Sequence, residues 1–510
     1  MRRQVFNNLF FSYANYATTI VAPLVLVPLF VRLLGHTLYG EWLVILSLTS
    51  YFSMANLGLS RTLANEYAMA NARADLNEID TLTSTSFFGY GAVTALLLGI
   101  FLIKLPAIST HFLAYADRAT IVALVIVAVC SAVALPFDVY AMLLRGVKRV
   151  DQEQAIGAFS TVGRVAAMTA ALAAGLRILA VAVIQGGIRV IGAIASCVYA
   201  IRISPEARPR IRKFSLSMMR RLIVPSAGFF AIQIAQTINV GLDNLVIAAF
   251  RPAAEVTQYA VAMKLVFINS GIFSVILDTL APYVTADFTL QRSDRLQTGY
   301  ILFLKFAFLF GVTTTMGLWF LGPGLMQFWA GPGIFPGKAT FALQTSLLLM
   351  GIIANPAYIV LTSTMRHYGL TVVAAVECTL NLTLSIWLVQ RWGIAGVIAG
   401  SVFAHVLTNA WYMQYGALQV LRIEFSRVVY EIGPIALLSL IVLGIAFAFA
   451  ELGTTPLSGI RALISTIIAV PAFAIGWALV SFDSDERKEA WSVVIRFIHN
   501  RGQARADFAG

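Results

Sequence analysis

The stretch LFFSYANYATTIVAPLVLVPLFV, residues 9–31, places 23 residues in a row without a charged side chain. As a helix it would rise about 35 Å at ~1.5 Å per residue, enough to cross a hydrocarbon layer of about 30 Å. Met1-Arg2-Arg3 before it is read as the flank of an uncleaved first span. The span is not uniformly apolar. Asn8, Ser12, Asn15 and Thr19 recur at i, i+4, i+7 and i+11 and so share one narrow helical face. Polar side chains do not face lipid cheaply. The first span therefore predicts further helices around it, forming either a wet cleft or hydrogen-bonded helix contacts.

The remainder of the chain supplies them. The 510 residues are 59% hydrophobic and 12% charged, where a soluble domain is about 25% charged. That excludes a soluble enzyme, a disordered chain and a secreted disulfide scaffold. Apolar runs bounded by charge, Pro or Gly predict an all-α polytopic membrane protein of about 14 transmembrane helices. They fall at 9–31, 40–60, 81–105, 118–143, 155–176 and 178–201, then 222–250, 259–284, 298–321, 339–361, 369–390 and 394–418, and finally 433–450 and 462–481. The implied domains are an N-terminal six-helix bundle (1–201), a basic linker (202–221), a second six-helix bundle (222–419), helices 13 and 14 (420–482) and a tail (483–510).

The net charge of +12 would suggest nucleic acid in a soluble protein. Here the basic residues sit mostly at span ends. With the N-terminus inside, 24 of the 36 Lys and Arg fall at inner ends and 8 at outer ends. This bias predicts both termini in the cytoplasm and no nucleic-acid partner. The 202–221 connection carries seven of these cations, and Ile211, Phe214, Met218 and Leu222 recur in it at helical spacing. It is expected to be an amphipathic helix on the inner membrane face. The tail, with Trp491, Val494, Ile495 and Ile498 on one face, is expected to do the same.

An internal repeat is present. Arg61-Thr62-Leu63-Ala64 follows Trp42 by 19 positions, and Asp278-Thr279-Leu280-Ala281 follows Tyr259 by 19, an offset of 217 in both places. The halves are then parallel repeats about an axis along the membrane normal. Span 7, the equivalent of span 1, carries its own polar face of Gln233, Gln236, Asn239 and Asp243.

Charges inside spans mark candidate sites. Asp243 and Lys264 lie at similar depth and are expected either to pair or to act in transport; the same holds for Lys305, Asp278 and Glu377. Arg164 and Arg189 fall near mid-membrane with no acid in their own spans. Two guanidiniums on faces lined by Gly157, Ser160 and Thr161, and by Gln185, Gly192 and Ser196, would hold a phosphate-type anion. The alternative partners are backbone carbonyls or Asp138. His405 lies near mid-span 12 and could titrate. Cys130, Cys197 and Cys378 sit in apolar stretches without a CxxC or Cys/His cluster. No P-loop, HExxH or GxSxG motif occurs, so no cofactor, metal or enzymatic activity is expected.

Pro28-Leu29-Phe30-Val31-Arg32-Leu33-Leu34-Gly35, then Tyr39-Gly40 and Asn56-Leu57-Gly58-Leu59, resembles the opening of bacterial Wzx-like polysaccharide-biosynthesis flippases of the multidrug/oligosaccharidyl-lipid/polysaccharide exporter superfamily. Asn56 stands where that family commonly has Asp. Asp243-Asn244-Leu245-Val246-Ile247, with Tyr259 and Pro282, resembles the family's second-half segment. The resemblance implies two bundles around a cleft lined by spans 1, 2, 7 and 8. It also implies a flippase moving an undecaprenyl-pyrophosphate-linked oligosaccharide across the bacterial inner membrane for O-antigen, capsule or exopolysaccharide synthesis. On that reading Arg164, Arg189 and Lys264, with Arg32 and Arg61 at the rims, meet the pyrophosphate. Asn15, Gln233, Gln236 and Asn239 shelter the sugars. Asp243, Asp278, Glu377 and Lys305 couple to a proton or sodium counter-ion. The expected partners are the lipid-linked oligosaccharide, the bilayer and a polysaccharide polymerase complex. A lipid II flippase, a multidrug exporter and a membrane glycan polymerase or ligase are the alternatives.

Overall fold

A computed structural model describes residues 2–52, 59–113, 116–278, 284, 287–288, 290–364, 368–452 and 459–481. Within these, side chains at 2–9, 227–241, 274–278, 447–465 and a few single positions are outside the described set. All regular structure among the described residues is helical. The helices are α1 (Arg2–Ser50), α2 (Leu59–Ala72), α3 (Leu76–Phe112), α4 (Arg118–Ala134), α5 (Asp138–Gly146), α6 (Val150–Ala173), α7 (Ile178–Ile203), α8 (Leu216–Phe250) and α9 (Ala253–Asp278). They continue as α10 (Ser293–Ala330), α11 (Lys338–Ser363), α12 (Tyr368–Trp392), α13 (Ile394–Leu407), α14 (Asn409–Leu421), α15 (Phe425–Leu452) and α16 (Gly459–Ser481). Eleven stretches among the described residues are long and apolar enough to cross a membrane. The chain is a multi-pass membrane protein.

The expected first and second spans share α1, which is broken at Gly35 (φ +83°, ψ 169°), a conformation that glycine adopts without the Cβ penalty. Just past the break, Gly40 lets α1 meet α9 closely: a Cβ there would lie 1.8 Å from the Ala253 carbonyl oxygen. The Thr257 hydroxyl donates to the His36 carbonyl at 2.6 Å. These two contacts have a simple relation. Residue 36 meets 257 while 40 meets 253, and both 36 and 253, and 40 and 257, are separated by the repeat offset of 217. A two-fold axis makes reciprocal contacts of this kind. The remaining motif residues stabilise the same corner. Tyr39 and Trp42 are buried and stack on Phe30 with ring centres 5.3 and 6.2 Å apart. The Arg32 guanidinium donates to the Phe328 carbonyl at 2.9 Å, near the C-terminal end of α10, where the helix dipole favours a cation.

The chain divides into two compact units, one of Met1–Leu265, Met326–Leu343 and Tyr368–Thr408, the other of Val266–Leu325, Gln344–His367 and Asn409 onward. In the first, α2, α3, α5, α7 and α8 bury Leu63, Tyr67, Tyr90, Tyr140, Leu144 and Leu222 in one core. In the second, α10, α15 and α16 share a core of Val312, Met316, Phe320, Ile435, Phe473 and Trp477.

The 202–221 connection differs from its expectation. It contains no amphipathic helix: α7 ends at Ile203, a single 3-10 turn occupies Ile211–Lys213, and α8 starts at Leu216. Three of its seven cations are used by acids instead. Arg210 and Lys213 pair with buried Asp80 at 3.7 and 3.8 Å, and Arg221 bridges Glu66 and Glu78. Ser84 and Thr85 side chains accept the backbone N–H groups of Arg210 and Ser215. These fixed partners on α2 and α3 hold the backbone extended. The tail helix expected around Trp491 lies outside the described residues.

Candidate functional site

Helices α5, α6 and α7 line a pocket of about 230 Å³ in the first unit, its wall including Phe137, Asp138, Glu153, Gly157, Ser160, Thr161, Arg164, Arg189, Gly192 and Ser196. Small residues let these helices approach. A Cβ at Gly192 would sit 2.8 Å from Ser160 Oγ, and one at Gly157 would sit 3.1 Å from Asn15 Nδ2. Asn15 itself donates to Gln154 Oε1 at 2.8 Å, so the span 1 stripe meets α6 beside the pocket. Of its other members, Thr19 bonds the Asn15 carbonyl, and the Asn8 side chain is outside the described set.

The two arginines differ. Arg189 Nη2 lies 2.5 Å from Asp138 Oδ2, so the expectation of two unpaired guanidiniums gives way, for Arg189, to the Asp138 partnership. Asp138 lies at the start of α5, after a 3-10 turn at Leu135–Phe137 kinks span 4. Arg164 has no ion pair among the described residues and faces the like charge of Arg189. Glu153, also on the wall, is taken by Arg145 at 2.9 Å. The pocket thus offers one guanidinium without an ion pair among the described residues, one paired guanidinium and the hydroxyls of Ser160, Thr161 and Ser196.

A second polar site joins α8, α12 and α13. The expected Asp243–Lys264 ion pair does not form. Buried Asp243 instead accepts the Tyr259 hydroxyl at 2.6 Å and faces Ser401 Oγ at 3.4 Å, while its Oδ1 has no hydrogen-bond partner among the described residues. Ser401 Oγ is also 3.0 Å from Asn381 Oδ1, which is 2.9 Å from Ser385 Oγ. Two serine hydrogens are shared among three acceptors here, Asp243 Oδ2, Asn381 Oδ1 and the Val397 carbonyl. The cluster is donor-poor and oxygen-rich. Sequence reasoning missed Asn381, Ser385 and Ser401. The signal was Gly396-Val-Ile-Ala-Gly400, a GxxxG spacing that permits close backbone approach; Cβ atoms there would lie 2.2 Å from the Leu388 carbonyl and 2.6 Å from Ser385 Oγ.

Four residues along α12 and α13 from that cluster, Glu377 and His405 meet: Oε1 is 3.1 Å from Nδ1, and Thr408 Oγ1 donates to Oε2 at 3.1 Å. Lys305 does not take the expected Glu377 as its partner. It reaches Glu431 at 3.3 Å and the Ser481 carbonyl at 2.9 Å, tying α10 to α15 and α16. Lys264 is half-buried on α9. The side chains of Arg61, Gln233, Gln236, Asn239 and Asp278 lie outside the described residues.

The fold is shared with solved membrane transporters. Lipid II flippase MurJ in an inward closed conformation superposes with a TM-score of 0.66 at 16% identity, covering 91% of this chain and 98% of its own. An inward-facing multidrug resistance MATE family transporter of the MOP superfamily gives 0.54 at 13% identity, covering 82% and 95%. A MATE structure in the bent conformation gives 0.52 at 12% identity, covering 83% and 96%. No curated protein sequence matches. A family profile described as "Polysaccharide biosynthesis protein" matches residues 5–286, more than half of the chain. With its all-helical membrane architecture, the chain belongs to the polysaccharide biosynthesis protein family.

Proposed function

We propose that this protein is a flippase that moves an undecaprenyl-pyrophosphate-linked oligosaccharide across the bacterial inner membrane, with both termini cytoplasmic, to feed O-antigen, capsule or exopolysaccharide synthesis. The observation that carries this is Arg164: a guanidinium without an ion pair among the described residues, within helices that cross the membrane, on the wall of a hydroxyl-lined pocket. An uncompensated Arg at membrane depth costs at least about 2.5–3.5 kcal/mol, a cost that an anionic ligand offsets. Arg164 contacts the anionic group of the substrate, Arg189 is oriented beside it by Asp138, and Asn15 and Gln154 border the sugars. Arg32 and Lys264 serve as rim and cleft cations.

Transport is coupled to a cation gradient at Asp243. A carboxylate in an oxygen-rich, hydrogen-poor cluster accepts a proton or a sodium ion without displacing an existing donor. Alternating access then exchanges cation for substrate. Lys305 is tied to Glu431 and Ser481, a structural use that leaves the carboxylates as the coupling groups. A polysaccharide polymerase complex would receive the product.

Deletion of the gene tests this. The expected result is cytoplasmic-side accumulation of complete lipid-linked repeat units, rescued by the wild-type chain and not by Arg164→Ala/Arg189→Ala at equal protein level. Normal export by that double variant removes the anion site. Unchanged surface polysaccharide with altered drug tolerance supports efflux, rescue of a lipid II flippase mutant supports that substrate, and glycan lengthening by purified protein supports a polymerase.

A further inference from the structure

Helix α1 carries Pro23 and Pro28 in its first half. Proline has no N–H, so Pro28 cannot donate to the carbonyl of Leu24 four residues earlier. A backbone acceptor without a donor is costly wherever water does not reach it. Here the donor comes from another helix. The Trp329 indole Nε1–H, in the last turn of α10, donates to the Leu24 carbonyl at 2.9 Å. A second contact runs in the opposite sense. The last four carbonyls of a helix lack intrahelical donors, and α10 ends at Ala330. The Gly331 N–H donates to the carbonyl of Gln327 at 3.0 Å, and Arg32 of α1 donates to that of Phe328 at 2.9 Å. Each helix thus leaves one carbonyl open for a local reason of its own, and each supplies the side chain that satisfies the other's. The turn after α10 is held as well, since Gln258 of α9 donates to the Gly333 carbonyl at 2.9 Å.

These residues all belong to the first compact unit, which takes in Met326–Leu343, whereas Val266–Leu325 belongs to the second. The change of unit therefore falls inside α10, between Leu325 and Met326. Just before it stands Gly322-Pro323-Gly324. Proline removes one rung of the helix ladder and is a recognised cause of sharp kinks. A glycine on each side lowers the cost of bending, and a Cβ at Gly324 would meet nothing within 4 Å. The tip of α10 is joined to α1 by these two bonds and to the rest of α10 by a segment that bends cheaply.

We propose that Arg32 and Trp329 form an outer latch of the transport path. They hold the tip of α10 on α1 while the outer side is shut, and they part as α10 bends at Gly322-Pro323-Gly324 when it opens. The two bonds suit this use. Both go to neutral carbonyls and both lie at the accessible surface, so water replaces either donor once the helices separate. Neither is a buried ion pair, whose rupture strands a charge. Release also frees the Arg32 guanidinium at the rim. A phosphate oxygen is a stronger partner for it than a neutral carbonyl, so an outgoing pyrophosphate group competes with the latch for Arg32. The direction of the latch and this competition rest on the orientation and substrate proposed above; the two-helix latch does not.

The test is the distance between spin labels at Val25→Cys on α1 and Phe328→Cys on α10, measured by double electron–electron resonance on the full chain in lipid nanodiscs. Cys130, Cys197 and Cys378 are replaced by alanine, and both label sites leave the Leu24 and Phe328 carbonyls in place. The expected result is a major short-distance population and a minor long one. Trp329→Phe should raise the ratio of long to short about fivefold, the value of one neutral hydrogen bond, and Arg32→Gln at least about tenfold, that of a charge-assisted one. Trp392→Phe, at an exposed position ending α12, should leave the ratio unchanged. Pro28→Ala gives Leu24 a donor in its own helix, so in that background Trp329→Phe should shift the ratio less than half as much. A wild-type chain without the short population, an unchanged ratio in either Arg32→Gln or Trp329→Phe, an equal shift from Trp392→Phe, or an undiminished effect of Trp329→Phe in the Pro28→Ala chain overturns the proposal. The readout needs neither glycan nor export, so it fails or succeeds separately from the flippase reading.

Discussion

Replacing Gly40 by alanine tests the corner on which the repeat turns. The new Cβ would lie 1.8 Å from the Ala253 carbonyl oxygen, 2.5 Å from its carbon and 3.1 Å from Thr257 Oγ1. Ordinary contact begins near 3.4 Å, so α1 and α9 must part by about 1.6 Å, and the obstacle is backbone that cannot rotate aside. Overpacking of this kind costs about 1–3 kcal/mol. The same movement pulls Thr257 from the His36 carbonyl, now at 2.6 Å, for about 1 kcal/mol more. The expected loss is about 2–4 kcal/mol, on the order of 100-fold in the folded-to-unfolded ratio at ~1.4 kcal/mol per tenfold. Denaturation of the purified protein by SDS in mixed micelles measures it. Gly99 on α3 is the control: a Cβ there meets nothing within 4 Å, so Gly99→Ala should be neutral or stabilise by up to about 1 kcal/mol. If Gly40→Ala unfolds within error of Gly99→Ala, the close α1–α9 crossing is wrong, and with it the reciprocal contacts that express the repeat.

The other predictions follow from individual partners. Arg164→Gln should reduce glycan export at least about tenfold at unchanged protein level, the value of one charge-assisted hydrogen bond. Asp138→Asn, which only frees Arg189, should reduce it less; equal losses in a cell-surface glycan assay would refute the division of roles. Lys305→Met should destabilise by about 1–3 kcal/mol in the same SDS titration, because it removes the bonds to Glu431 and Ser481 while Arg427 still holds Glu431 at 3.0 Å; a loss below about 0.5 kcal/mol would exclude the tie. Asp117 caps α4 by accepting the backbone N–H of Thr120 at 2.8 Å, which holds its carboxyl below the ordinary range. Its stabilising contribution is therefore full above about pH 4, the unfolded value, and fades as acid protonates the folded form. Asp117→Ala should flatten that acid limb of stability against pH, and an unchanged limb would show that the cap does not titrate.

The corner motif was legible as a resemblance before its physics was visible. Gly35 marks the helix break, Gly40 the backbone crossing, Tyr39 the stack on Phe30, and Arg32 a carbonyl at the far end of α10. Arg164 was legible because a charge amid apolar residues is conspicuous. Asn381, Ser385 and Ser401 were not, because polar residues scattered singly on two helices become a cluster only when Gly396 and Gly400 bring those helices together. The basic linker was misread for a related reason. Its apolar spacing suits a surface helix, but buried Asp80, more than 120 residues earlier in sequence, takes two of its cations, and Ser84 beside it holds the backbone extended.

The sequence by itself determined the class of molecule: membrane-spanning helices, a doubled chain and a few intramembrane charges. Each of these follows from local cost, since about 20 apolar residues suffice to define a span and one arginine suffices to mark it. Only the tertiary structure decided who pairs with whom. Arg189 belongs to Asp138, Lys305 to Glu431, and Asp243 to Tyr259 and Ser401 rather than to Lys264. Depth along a helix can be counted from the sequence, but the rotation of that helix about its own axis cannot. A rotation of one residue, about 100°, is enough to exchange one partner for another.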